Sequence, residues 1–245
     1  MGRQCLPEGR LHKLYELSHV VDEVANVTPN DHLPYVGKSA FAHKGGVHVA
    51  AMRRSEQSYQ HVAPERVGNK MRVVVSALSG RANILSKAEE HGVEVGDVAN
   101  VVGVLNDVKE LEARGFSFEA AEASVAMMLK RQQPGYKPPF ELVDFLVNVE
   151  HRQGRGIFAE AMVKVKVGAE VLHTAAEGNG PVNALDIALR KALLGHYPEI
   201  ATFHLADYKV RILDGQDGTE AITRVLIGTR NTTRLWSTVG ASANI

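Results

Sequence analysis

An α+β fold is expected: mainly helical subdomains followed by a domain of two strand-and-helix modules. Three observations predict it. Apolar residues recur at three- and four-residue steps through much of the first half. The second half alternates in the manner of strands around one strong helix. Between them RQQPGYKPPF, residues 131–140, concentrates three of the nine prolines, a linker composition.

In chain order, residues 8–27 space Leu11, Leu14, Leu17, Val21 and Val24 as an amphipathic helix that ends at the turn signal Thr28-Pro29-Asn30. PYVGKSAFAHKGGVHVAAM carries a glycine pair, Gly45-Gly46, ahead of an apolar segment able to start a helix. MRVVVSAL (71–78) predicts a short buried strand, and SGRANILSKAEEHG a helix capped by Ser79. Two further helices are expected over 97–114 and 117–131. After the linker, FELVDFLVNVEHRQG and FAEAMVKVKVGAEVLHTAA read as strands. NALDIALRKALLGHYP is a helix with Leu185, Ala188, Leu189, Ala192 and Leu193 on one face. HLADYKVRILDG and TEAITRVLIGT follow as strands. The expected segments are 1–35, a leading helix; 36–72 and 73–135, two linker subdomains; and 139–245, the second domain.

Composition narrows the function classes. Lys+Arg number 28 against 28 Asp+Glu, so no net charge attracts nucleic acid or an anionic membrane surface. No run of eighteen apolar residues spans a bilayer. MGRQCLPEGR has no apolar stretch behind a basic head, so a secretory signal is not expected and a cytoplasmic location is. Cys5 is the only cysteine, which leaves no internal disulfide and no cysteine-rich zinc site.

A repeat runs through the second half. At an offset of 60, EAMVKVKVG (Glu160–Gly168) lies over EAITRVLIG (Glu220–Gly228), Gly180 over Gly240, and PVNAL over ASANI. The expected unit is strands, a glycine turn and a helix, present twice. The second helix is expected to be cut short at Ile245, so the second module is expected to be truncated.

Two segments concentrate chemistry. In Ser39-Ala40-Phe41-Ala42-His43-Lys44-Gly45-Gly46-Val47-His48 the histidines are five apart, which is not the helical spacing of a metal pair, and no carboxylate or cysteine accompanies them. No HxH motif, paired catalytic carboxylates or phosphate loop stands elsewhere, so no metal ligand is assigned. His48 and Tyr59 could act as acid/base groups toward another surface, or could be satisfied structural residues; the residues alone leave both readings open. The second segment is Glu177-Gly178-Asn179-Gly180-Pro181-Val182-Asn183. Its glycines, Pro181 and the free N–H groups of a helix start suit a carboxylate ligand such as an amino acid. A tight turn needing glycine at positive φ is the alternative. The repeat places an equivalent turn at Thr238–Ser242, including Gly240 and Ala241.

SAFAHKGGVHVAAM, QSYQHVAPERVGN and VVSALSGRANI resemble the linker subdomains of the α-isopropylmalate, homocitrate and citramalate synthases. GRGIFAEAMVKVKVGAEVLHTAAEGNGPVNALDIALRKAL, DYKVRILDG and LWSTVGASANI resemble that family's regulatory domain, and SALSGRANI and HTAAEGNGPVNALD its citramalate branch, which feeds isoleucine synthesis. The resemblance implies a Claisen-type condensation of acetyl-CoA with a 2-oxoacid, pyruvate in that branch. The reaction takes place in a (β/α)8 barrel holding a divalent metal, magnesium or manganese. Barrel, metal ligands and catalytic Arg/Glu are expected to lie outside this chain, which is therefore expected to be inactive alone. The resemblance further implies a homodimer in which His48 and Tyr59 reach into the partner's barrel, with His43 and Lys44 in support. It makes Gly178, Asn179, Gly180 and Pro181, with Gly240 and Ala241, the site for an isoleucine or leucine effector. An α-isopropylmalate or homocitrate synthase, or a free-standing amino-acid-binding dimerisation module, is the alternative.

Overall fold

The computed structural model describes residues 7–93, 98–154, 156–213, 215 and 218–243. They form two compact units: Met1–Gln133 with Tyr208–Ile227 and Ser237–Ile245, and Pro134–Asp207 with Gly228–Trp236. Helices and three small sheets together give the α+β class expected.

In the first unit a 3-10 turn, Leu11–Lys13, leads into α1, Leu14–Val24. Its apolar stripe is present but no α1 residue is buried: Leu17, Val21 and Val24 are all exposed. β1 (Ala42–His43) runs parallel to β2 (Arg72–Val73), and α2 (Gly46–Arg54) follows β1 directly. The strand expected over 71–78 is thus only two residues long. Beyond it Val75 is buried, and the chain turns at Ser76–Ser79 through a bond from the Ser79 N–H to the Ser76 carbonyl. α3 (Arg81–Glu90), α4 (Val98–Ala113) and α5 (Glu122–Arg131) complete the helical set. The helix expected from 117 starts at 122, after a turn.

Val101, Val104, Leu105 and Val108 recur along α4 at helical spacing. They meet Val75, Ile84, Phe118, Val125 and Leu129 in one core. Each such side chain removed from water contributes about 1.5–3 kcal/mol. Among these packed side chains Phe118 and Val125 flank the start of α5, which makes that corner rigid.

The second unit holds an antiparallel meander, β3 (Glu141–Arg152), β4 (Gly156–Val167) and β5 (Glu170–Gly178), covered on one face by α6, Pro181–Leu193. β4 alternates strictly: Ala159, Ala161, Val163 and Val165 are buried while Glu160, Met162 and Lys164 face away. Ala184, Ala188 and Ala192 form the buried line of α6, with Leu185 and Leu189 beside it. Small residues on that line allow helix and sheet to approach closely. One hydrogen bond, from Thr174 Oγ1 to the Ala188 carbonyl (2.7 Å), ties them further.

The third sheet has the order β6 (His204–Ile212), β7 (Thr223–Arg230), β8 (Leu235–Ser242). The repeat is visible in burial: Ala161 and Val163 correspond to Ala221 and Thr223, all buried. It fails further on. Residues 238–242, expected as a glycine turn, belong to strand β8. The first module joins its last two strands through residues 168–169, the second through 231–234, where Asn231 Oδ1 accepts from the N–H groups of Thr233 and Arg234. That longer turn shifts the following strand, so an offset of 60 no longer applies. Of ASANI, which the repeat sets over the start of α6, Ala241 and Ser242 lie in β8 rather than in a helix, and 244 and 245 lie outside the described residues.

Candidate functional site

His48 and Tyr59 come together. Their rings stack with centroids 4.2 Å apart and planes 29° apart, and both side chains are exposed. The local chain explains the pairing. His48 lies in the first turn of α2; the helix ends at Arg54, Ser55 is extended, and a 3-10 turn at Glu56–Ser58 reverses the chain to bring Tyr59 back. An imidazole and a phenol, both groups able to hold or move a proton, therefore share one solvent-facing surface.

The direction of His48 depends on how α2 starts, and α2 is fixed from below. Asn83 is fully buried. Its Nδ2 donates to the carbonyls of Lys44 (2.9 Å) and Val74 (3.0 Å), and its Oδ1 accepts the Gly80 N–H. Ser79 Oγ donates to the Lys44 carbonyl and accepts the Ser76 N–H. Ser79 is therefore not the helix cap expected from sequence: Gly80 occupies that position, and the Ser79 hydroxyl is committed to the turn and to Lys44. A Cβ on Gly46 would lie 2.7 Å from the Gly80 nitrogen, so the two backbones touch there with no room for a side chain. Asn83→Ala is expected to take the amide donor from the Lys44 and Val74 carbonyls, leaving both to Ser79 Oγ, and to leave the Gly80 N–H without its acceptor. The cost is about 2–4 kcal/mol, read as a fall in melting temperature against wild type.

His43, one turn of chain earlier, is half-buried, and its Nε2 lies 3.5 Å from Gln60 Nε2. Burial first, and the neighbouring His48 second, hold its pKa below the ordinary imidazole value, which favours the neutral ring. A cleft of about 230 Å³ opens beside it, lined by Val49, Met52, Arg54 and Val73 among others; His48 and Tyr59 are not in its wall. Lys44 Nζ donates to Glu119 Oε1 at 2.6 Å, which raises the lysine pKa. Among the described residues no three His, Cys, Asp or Glu side chains cluster as metal ligands.

The glycine turn ahead of α6 does not use its glycines as the tight-turn reading expected. Gly178 and Gly180 do not have positive φ; Gly180 is extended at φ −178 and is the helix N-cap, with no side chain capping it. Gly178 is required for another reason: a Cβ there would sit 2.5 Å from the Ala184 nitrogen, where β5 crosses α6. Asn183 Oδ1 accepts the Asn179 N–H at 3.1 Å, and Pro181 opens the helix. Gly240 and Ala241 lie in β8, not in a matching turn. Sequence reasoning missed Asn83, whose partners lie nine and thirty-nine residues away. The motif SALSGRANI was visible, but not its task.

Two family models match this chain. The LeuA allosteric (dimerisation) domain matches residues 119–245, and a homocitrate synthase post-HMGL domain matches 35–115. An (R)-citramalate synthase of Geobacter sulfurreducens is 49% identical over 247 residues, covering 100% of this chain and 47% of the relative. That of Synechocystis is 48% identical over 250 residues, covering 98% and 45%. A probable 2-isopropylmalate synthase of Methanopyrus kandleri is 30% identical over 220 residues, covering 89% and 42%. The chain spans about half the length of the curated relatives it matches. With its allosteric domain matched over more than half its residues, the chain belongs to the citramalate synthase and α-isopropylmalate synthase family.

Proposed function

We propose that this chain serves an acetyl-CoA-dependent acyltransferase that condenses acetyl-CoA with pyruvate to (R)-citramalate. The acetyl methyl loses a proton, its carbon bonds to the keto carbon of pyruvate, the keto oxygen takes a proton, and water cleaves the thioester to release CoA. His48 and Tyr59 are proposed to enter the barrel of a partner subunit, in a homodimer, and there position the oxoacid or carry one of these protons. The observation that carries this reading is the exposed stacked pair itself, two proton-active rings held outward on a backbone fixed by buried Asn83. The divalent metal, magnesium or manganese, supplies Lewis-acid polarisation of the oxoacid when bound. The described residues of this chain do not fit it, and it belongs on this reading to the barrel.

Residues 36–72 and 73–135 serve on this reading as linker subdomains and 139–245 as the regulatory domain. Isoleucine or leucine is the proposed effector. Its carboxylate is received by the free N–H groups that open α6 just beyond the turn Gly178, Asn179, Gly180 and Pro181; Pro181 itself has no N–H, and that of Asn179 is taken by Asn183 Oδ1. Gly240 and Ala241 enter this proposal only as strand residues near the matching end of the second module. The test is CoA release by the full-length enzyme with pyruvate, 2-oxoisovalerate and 2-oxoglutarate in parallel. Pyruvate is expected to lead in kcat/KM by about 100-fold, and the isolated 245-residue chain to release none. Equal rates would overturn pyruvate as the substrate; turnover by the isolated chain would overturn the assignment of catalysis to the barrel.

A further inference from the structure

Glu119 lies in the turn before α5, between two buried residues, Phe118 and Ala121. The stretch it belongs to makes four separate attachments. Glu119 accepts Lys44 Nζ at 2.6 Å. Glu122 accepts Arg72 at 3.2 Å and lies 3.5 Å from the buried Lys87 ammonium. Ser124 Oγ accepts the Val239 N–H of β8 at 3.1 Å. Arg72 is itself the register partner of Ala42, so β1 and Lys44 are gripped from two sides by one short segment.

We infer that Glu119 is a positioning residue for His48, acting through Lys44 at the Gly45-Gly46 start of α2. The inference rests on the role proposed above for His48. Ser79 and Asn83 hold the Lys44 carbonyl, and Glu119 holds its side chain; together they set the angle at which α2 leaves β1. The side chains of Lys44 and Glu119 are 44% and 48% exposed, so the pair contributes only about 0–1 kcal/mol to stability. An ion pair that stabilises so little can still set geometry, because a displacement of about 1 Å at a reacting group lowers rate by up to about 100-fold.

The experiment uses the full-length enzyme, with Glu119→Ala, Lys44→Met, the two combined, and the charge-reversed pair Lys44→Glu/Glu119→Lys. Each single variant is expected to lower kcat about tenfold, with KM for the oxoacid within about twofold. The combination is expected to be no worse than either alone, and the reversed pair to recover kcat to within about threefold of wild type. Melting temperatures are expected within about 3 °C of wild type. His48→Ala is the control. Unchanged kcat in Glu119→Ala, with loss in His48→Ala, overturns the clamp and leaves the site standing. Unchanged kcat in His48→Ala removes the site assignment and the clamp with it. Losses of kcat that follow a fall in melting temperature, without recovery in the reversed pair, mark a structural role and also overturn the inference.

Discussion

Replacing His48 by Ala in the full-length enzyme is expected to lower kcat by about 100-fold or more, the range of a lost proton-transfer group. The ring is exposed and, among the described residues, stacks on Tyr59 alone, so little packing goes with it. Folding should therefore survive, with circular dichroism and melting temperature near wild type. Tyr59→Phe keeps the stack and removes only the hydroxyl, and thus separates two contributions. A rate close to wild type assigns Tyr59 to holding the imidazole; a loss comparable to His48→Ala gives the phenol a proton of its own. Wild-type turnover in His48→Ala would remove this surface from the reaction.

The second large effect is expected at Gly180. An Asp there meets nothing within 4 Å of its Cβ, and the extended backbone accepts any residue. Asp is also a favourable N-cap: its carboxylate takes the N–H groups that open α6 and answers the helix dipole. Those are the groups proposed for the effector's carboxylate. Gly180→Asp is therefore expected to stabilise the helix slightly while excluding the effector. The isoleucine or leucine concentration for half-inhibition should rise at least about tenfold, about 1.4 kcal/mol of binding. The measurement is an inhibition curve, each enzyme normalised to its own uninhibited rate. An unshifted curve would remove this turn from the effector site.

How far these features were legible in sequence depended on the range of the forces behind them. α3, α4 and α6 follow from apolar period and local signals, which act within a few residues. α5 begins at Glu122 and not at 117, because the turn before it carries residues that a helix would equally accept. The edge of what a repeat can tell is seen at β8, where two extra residues in the 231–234 turn displaced the register by which Gly240 was read. Asn83 marks the other boundary. Buried asparagine is unremarkable in a string, and its meaning lies in carbonyls that only the fold brings near. His48 and Tyr59 were found by resemblance; their stacking required the reversal at Glu56–Ser58.

The contact between Gly46 and Gly80 has a practical consequence for anyone diversifying this protein. With a Cβ on either residue meeting the other's backbone at 2.7 or 3.1 Å, no side chain on one can be accommodated by shrinking its neighbour, which is already glycine. Compensating pairs are thus unavailable at this crossing. Random libraries gain by leaving both codons untouched and spending their diversity on the exposed rims.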